Sequence, residues 1–285
     1  MSLKRSLNRA LAATTGLQVR KAPRPSAPPP PPAAPVYHEP AAEDRLLRRP
    51  VFVISSIRSG STLLRMMLDT HSRLRAPHEL HISRLEVGYG SSVSEYAMQN
   101  LGLERGDLEH LLWDRVLHRE LVRSGKDFIV EKTPGNVFCH ERIRDSWPDA
   151  RFLVLLRHPE SIARSWHESD PAKRPYEKAV TDVLRHVEAV DRARETLDDA
   201  CTVRYEDITA DPGRELRRLC RFLGLDYEPG MVDYGRKGDP ELKRGLGDWR
   251  ANIRTGTVQP GRALPGSGEV HPALLPYCDS WGYTS

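Results

Sequence analysis

Residues 51–64 read VFVISSIRSGSTLL, and the order of residue types in this stretch decides the fold. Val51, Phe52, Val53 and Ile54 form a short apolar, largely β-branched run of the kind found in a fully buried strand. Ser55-Ser56-Ile57-Arg58-Ser59-Gly60-Ser61-Thr62 is a mostly polar turn, and an apolar helical pattern opens at Leu63. The segment predicts strand, tight loop, helix. Such a loop aims free backbone N–H groups and the positive end of a helix dipole at one spot, which suits a phosphate. Gly60 lets the backbone come close, Ser61 and Thr62 add hydroxyl donors, and Arg58 adds a permanent positive charge. The competing reading is a tight strand-to-helix turn in which Ser and Gly serve steric needs alone.

The loop is not the ATP-binding pattern G-x-x-x-x-G-K-[ST], because no glycine precedes Gly60 in it and no lysine follows. This argues for a phosphorylated ligand other than ordinary ATP. Working outward, 285 residues suffice for one large α/β domain or two small ones. Charged residues make up 29% and the mean hydropathy is −0.55, and no stretch approaches the ~18 apolar residues of a membrane span. Cys139, Cys201, Cys220 and Cys278 lie far apart, without a zinc or disulfide pattern, which points to a reducing, cytoplasmic setting and no metal.

The net charge of +4 is unevenly spread. Residues 1–38 hold six basic residues (Lys4, Arg5, Arg9, Arg20, Lys21, Arg24) and no acid, so the remainder is −2. On bulk charge the body does not bind nucleic acid. Residues 2–21 have Leu3, Leu7 and Leu11 at helical spacing. They read as an amphipathic segment for peripheral membrane or protein contact, as a transit peptide, or as a disordered tail. Residues 22–40 carry nine prolines and read as a polyproline spacer. The expected organisation is a basic, Pro-rich, disordered tail and linker over 1–47 and one domain over 48–285.

Strand-like runs fall at 51–55, 127–131, 151–156 and 201–205. Helical patterns fall at 61–70, 107–123 (Leu108, Leu111, Leu112, Leu117, Leu121), 176–197 and 212–223, the last opening on Asp211-Pro212. This alternation predicts an α/β fold, a parallel sheet flanked by helices, with ligands beyond the C-terminal strand ends. The polar residues sit there. After the first loop come His78-Glu79-Leu80-His81, then Glu131-Lys132-Thr133-Pro134, Arg157 with Ser165 eight residues on, and Glu206-Asp207. Cations, hydroxyls and a carboxylate at one sheet edge suit an anionic ligand and a general base.

The pattern resembles sulfotransferases that use 3′-phosphoadenosine 5′-phosphosulfate (PAPS), over about residues 50–255. It looks closest to soluble bacterial members and to the branch that includes protein-tyrosine sulfotransferases, and implies a P-loop NTPase-like fold. In that family P-[KR]-S-G-[ST]-T binds the 5′-phosphosulfate, which resembles Ile57-Arg58-Ser59-Gly60-Ser61-Thr62. The resemblance assigns Arg157 and Ser165 to the 3′-phosphate, Lys132 of Lys132-Thr133-Pro134 to the sulfuryl group, and Tyr205 of Tyr205-Glu206-Asp207 to the adenine. Lys243-Arg244-Gly245, before Gly247-Asp248-Trp249, is similar to a basic loop on the 3′-phosphate, with Arg236-Lys237-Gly238 as a competing match.

The chain departs from the family in Ile57 for Pro and in Leu63 for the stacking Trp of the cytosolic members. It also lacks their catalytic His, and Glu79 stands where the tyrosine-sulfotransferase branch has its carboxylate base, with His78 and His81 in reserve. The implied function is sulfuryl transfer from PAPS to a hydroxyl of a small-molecule, carbohydrate or natural-product acceptor (EC 2.8.2 type). Glu79, Lys132 and Arg58 would be catalytic, and 3′,5′-adenosine bisphosphate would be released. Alternatives are an ATP-dependent small-molecule kinase and a non-catalytic nucleotide-binding protein. High Arg, Ala and Pro content fits a bacterial source.

Overall fold

β1 (Val51–Ser55) is buried along its whole length, as its apolar run predicts. It lies at the centre of a five-stranded, all-parallel sheet of order β2-β3-β1-β4-β5. The others are β2 (Leu74–Arg75), β3 (Phe128–Glu131), β4 (Arg151–Leu156) and β5 (Ala200–Arg204). The structure, a computed structural model, describes residues 35–237, 253 and 255–283. The basic tail of residues 1–34 and the Lys243-Arg244-Gly245 loop lie outside the described residues.

Strand side chains alternate between faces, so the sheet builds two cores. Phe52, Ile54, Phe152 and Val154 pack with Trp113, Leu117, Ile162, Val183 and Val187 on one side. Val51, Val53, Leu153, Leu155 and Val203 pack with Leu64, Met67, Leu216 and Leu219 on the other. The described helices are α1 (Ser61–Thr70), α2 (Ser92–Asn100), α3 (Arg105–Ser124), α4 (His140–Ser146), α5 (Pro159–Ser169), α6 (Tyr176–Thr196), α7 (Tyr205–Ala210), α8 (Pro212–Leu223) and α9 (Leu275–Ser280). α8 starts as its sequence predicts: Asp211 accepts the Arg214 N–H at 2.9 Å, with Pro212 in the first turn. Gly224, at φ +68°, ends it.

The leucine face expected of residues 107–123 is buried only in part, at Leu117 and, against the core, at Leu121. Leu112 is 37% exposed, whereas Asp107, Glu109, His110, Trp113, Asp114 and Leu117 are buried. Partners distant in the chain account for this. Arg142 of α4 pairs with Glu109 at 2.9 Å, donates to His110 Nε2 at 2.9 Å and stacks on Trp113 at 4.3 Å. On the same helix, Asp107 accepts from His38 N and Nδ1, and Asp114 from Leu46 N, Leu47 N and Trp147 Nε1. Chain upstream of residue 48 thus runs across α3 through satisfied carboxylates, which apolar periodicity does not reveal. Among the described residues no helix is long and apolar enough to cross a membrane. All four cysteines are free.

Candidate active site

The loop between β1 and α1 is shaped by backbone at positive φ, at Arg58 (+57°) and Gly60 (+89°). Gly60 caps α1 without a side-chain hydrogen bond, so no cap side chain covers the first-turn amides. A side chain at position 60 would also collide with its surroundings. A Cβ built there falls 2.3 Å from Cδ2 of Tyr205, so glycine alone allows the ring to lie against the loop.

One side of the loop is tied to β4 and β5. Arg58 Nε donates to Ser165 Oγ at 3.2 Å. Arg157 Nη1 donates to the Arg58 carbonyl at 2.7 Å, and its guanidinium lies 4.5 Å from the Tyr205 ring centroid. Burial holds the Arg157 pKa below its ordinary value, and the nearby Arg262 charge acts in the same direction. Among the described residues, the buried Nε of Arg157 and hydroxyls of Ser55 and Ser56 have no hydrogen-bond partner. Buried donors left unsatisfied around such a loop fit an anionic ligand.

The other side of the loop meets β3. Lys132 is fully buried, and its ammonium donates to Thr62 Oγ1 at 3.4 Å and to Glu79 Oε1. Burial pulls the Lys132 pKa down, against the opposing pull of Glu79. The second carboxylate oxygen of Glu79 lies 3.6 Å from His81 Nε2. His78 turns its Nδ1 to the Glu79 carbonyl at 2.9 Å. Ser59 Oγ is spent inside the loop, donating to Ser56 O at 2.7 Å.

Contacts therefore run without a break from Glu79 through Lys132 and Thr62 to the loop of Ser59, Gly60 and Ser61, then through Arg58 to Ser165, Arg157 and Tyr205. Of the competing C-terminal matches, Arg236 and Lys237 close a short 3-10 turn (Tyr234–Lys237), and Gly238 falls outside the described residues. Trp166 donates to Asp182 at 3.1 Å under Arg174, and Tyr176 donates to Glu160 at 2.7 Å. Both are framework. Tyr96 is 67% exposed, on a helix with no buried residue.

Sequence reasoning missed Arg262. It pairs with Glu168 at the end of α5, with oxygens at 2.7 and 3.0 Å, one turn beyond Ser165. Gly261 beside it packs against Thr209 and Tyr205. Arg262 follows Gln259-Pro260-Gly261, a loop without periodicity or motif, so nothing in the chain marks it. Also missed was the clasp on Glu206, which accepts from His158 N at 3.1 Å and from Tyr283 OH at 2.6 Å.

The Sulfotransferase family profile matches residues 50–229, more than half of the chain, and the chain belongs to that family. Nodulation protein NoeE of Sinorhizobium fredii is 24% identical over 226 residues, covering 68% of this chain and 54% of its own. Protein-tyrosine sulfotransferase 1 of Danio rerio is 21% identical, covering 68% and 59%. The omega-hydroxy-beta-dihydromenaquinone-9 sulfotransferase Stf3 of Mycobacterium tuberculosis is 24% identical, covering 79% and 73%. The chain thus spans little more than half the length of the first two relatives. Among solved structures, the sulfotransferase domain of the curacin biosynthetic pathway has a TM-score of 0.58 at 21% identity, covering 83% of this chain and 98% of that one. The sulfotransferase domain of the Synechococcus PCC 7002 olefin synthase has a TM-score of 0.57 at 22% identity, covering 88% and 99%. Both show a shared fold.

Proposed function

We propose that this chain transfers a sulfuryl group from PAPS to the hydroxyl of a small-molecule or carbohydrate acceptor. The observation that carries the reading is the buried Lys132, which joins the loop hydroxyl of Thr62 to the carboxylate of Glu79. It links the half of the site suited to an anion with a carboxylate able to accept a proton.

In this reading Glu79 takes the acceptor proton through the oxygen that Lys132 leaves open. The acceptor oxygen bonds to sulfur as the bond from sulfur to the bridging phosphate oxygen breaks. Arg58, Lys132 and the loop amides stabilise charge on the transferring group and on the departing 3′,5′-adenosine bisphosphate. Arg157, Ser165 and Tyr205 hold the nucleotide, and Arg262, whose charge acts on Arg157, adds a cation toward its 3′-phosphate end. We extend the proposal to a cytoplasmic location, which four free cysteines support.

The Mycobacterium relative is named for a menaquinone-derived acceptor, which supports beginning with small hydroxyl compounds. The test incubates the protein with PAPS and a panel of phenols, alcohols and sugars, without metal, and measures adenosine bisphosphate release and product mass. Acceptor-dependent gain of a sulfuryl group is expected. Turnover only with ATP and Mg²⁺, or nucleotide binding without turnover, would replace this reading with a kinase or a binding protein.

A further inference from the structure

Glu131, at the end of β3, takes no part in the chemistry above, yet it is 1% exposed and directly precedes Lys132. Three donors converge on its carboxylate. Thr133 Oγ1 donates to Oε1 at 2.6 Å, Asn136 Nδ2 donates to Oε2, and the backbone N–H of Leu80 donates as well. Two of these partners reach on to the segment that carries Glu79. Thr133 Oγ1 accepts the His81 N–H at 3.2 Å, and Asn136 Oδ1 accepts from Ser83 Oγ at 3.2 Å. Leu80, His81 and Ser83 are thus tied to one buried carboxylate, directly or through one side chain.

Between these ties His81 sits at φ +50°, a left-handed conformation that a histidine adopts at a cost. That conformation turns the chain sharply just after Glu79. Glu131 is also the residue immediately before Lys132. One group therefore fixes both sides of the Glu79–Lys132 pair.

We infer that Glu131 is a positioning residue: its buried carboxylate, with Thr133 and Asn136, anchors the 80–83 turn and so sets Glu79 against Lys132. It does not touch the reacting atoms. Both its oxygens are occupied and it has no open face to an acceptor. Burial favours its protonated form, and the converging donors oppose that by stabilising the anion. The inference rests on the reading of Glu79 as base, and its structural half stands apart from it.

The test uses the full chain with Glu131→Gln, Thr133→Val, Thr133→Ser and Glu79→Gln. An amide at 131 presents one acceptor where three donors converge, so exchange of the Leu80 and His81 amides should quicken by about tenfold or more, while strand amides of β1 and β4 keep their rates. PAPS breakdown to adenosine bisphosphate should fall about a hundredfold, the cost of misplacing a reacting group by about 1 Å, with affinity for adenosine bisphosphate unchanged. Thr133→Val should loosen His81 alone, and Thr133→Ser, which keeps the hydroxyl, should restore it. Parent exchange rates at Leu80 and His81 in Glu131→Gln, or faster exchange spread evenly over the sheet, overturn the inference. Glu79→Gln separates the two claims. It should lower turnover by about 10²–10⁴ and leave the Leu80 and His81 amides protected. If it turns over normally, the base reading falls and the exchange rates alone decide the anchor.

Discussion

The two halves of the candidate site are built differently. On the Arg157 side Arg58 is tied to Ser165 on α5, Arg157 follows the end of β4 and Tyr205 opens α7. On the Glu79 side the chain from Ala76 to Glu104 forms one short 3-10 turn and α2, a helix with no buried residue. Val93 and Tyr96 on that helix are 74% and 67% exposed. In the proposed reading the nucleotide is a constant partner and is met by secondary-structure elements of the sheet. The lightly packed half is where acceptor identity can vary without disturbing the sheet.

If that division holds, substitutions should separate turnover from nucleotide binding. The largest effect belongs to Glu79→Gln, expected to lose about 10²–10⁴ in turnover, the usual worth of a general base, with nucleotide affinity retained in calorimetry. Loss of both would merge the two halves. Next comes Arg157→Ala, which removes a charged hydrogen-bonding group and should weaken adenosine bisphosphate binding by about 1.5–3 kcal/mol. Unchanged affinity would take Arg157 out of the nucleotide half.

A smaller effect is expected in the pH profile. Burial lowers the pKa of Lys132, so as pH rises it loses its proton sooner than an ordinary lysine, near ~10.4. Turnover should decline on the alkaline side below that value, and Lys132→Arg, which keeps its charge, should remove the decline. An identical limb in both proteins would assign it to another group. The smallest effect is expected for Tyr96→Ala. It should leave melting temperature and nucleotide affinity at parent values and alter at most the KM for an acceptor. A fall in melting temperature would show that α2 is packed more firmly than its exposure implies.

The same contrast governs what the sequence revealed. β1, the loop and α1 were legible residue by residue, because a buried strand, a glycine and an apolar helix each leave a local signature. So was the start of α8 at Asp211-Pro212. The buried face of α3 was legible only at Leu117 and Leu121, since Asp107, Glu109 and Asp114 are buried by partners far away in the chain, His38, Arg142, Leu46 and Trp147. α5 escaped notice although it carries Ser165, because His167, Glu168 and Arg164 dilute its apolar stripe. Arg262 and Tyr283 reach the site only through tertiary folding, to Glu168 and Glu206.

The proposed site recognises a nucleotide carrying a 3′-phosphate. The most direct test is calorimetric titration of the protein with 3′,5′-adenosine bisphosphate, beside 5′-AMP and ATP, without metal. Tight binding of the bisphosphate is expected, with much weaker binding of the two nucleotides that lack a 3′-phosphate. Equal affinity for all three, or no binding, would contradict it.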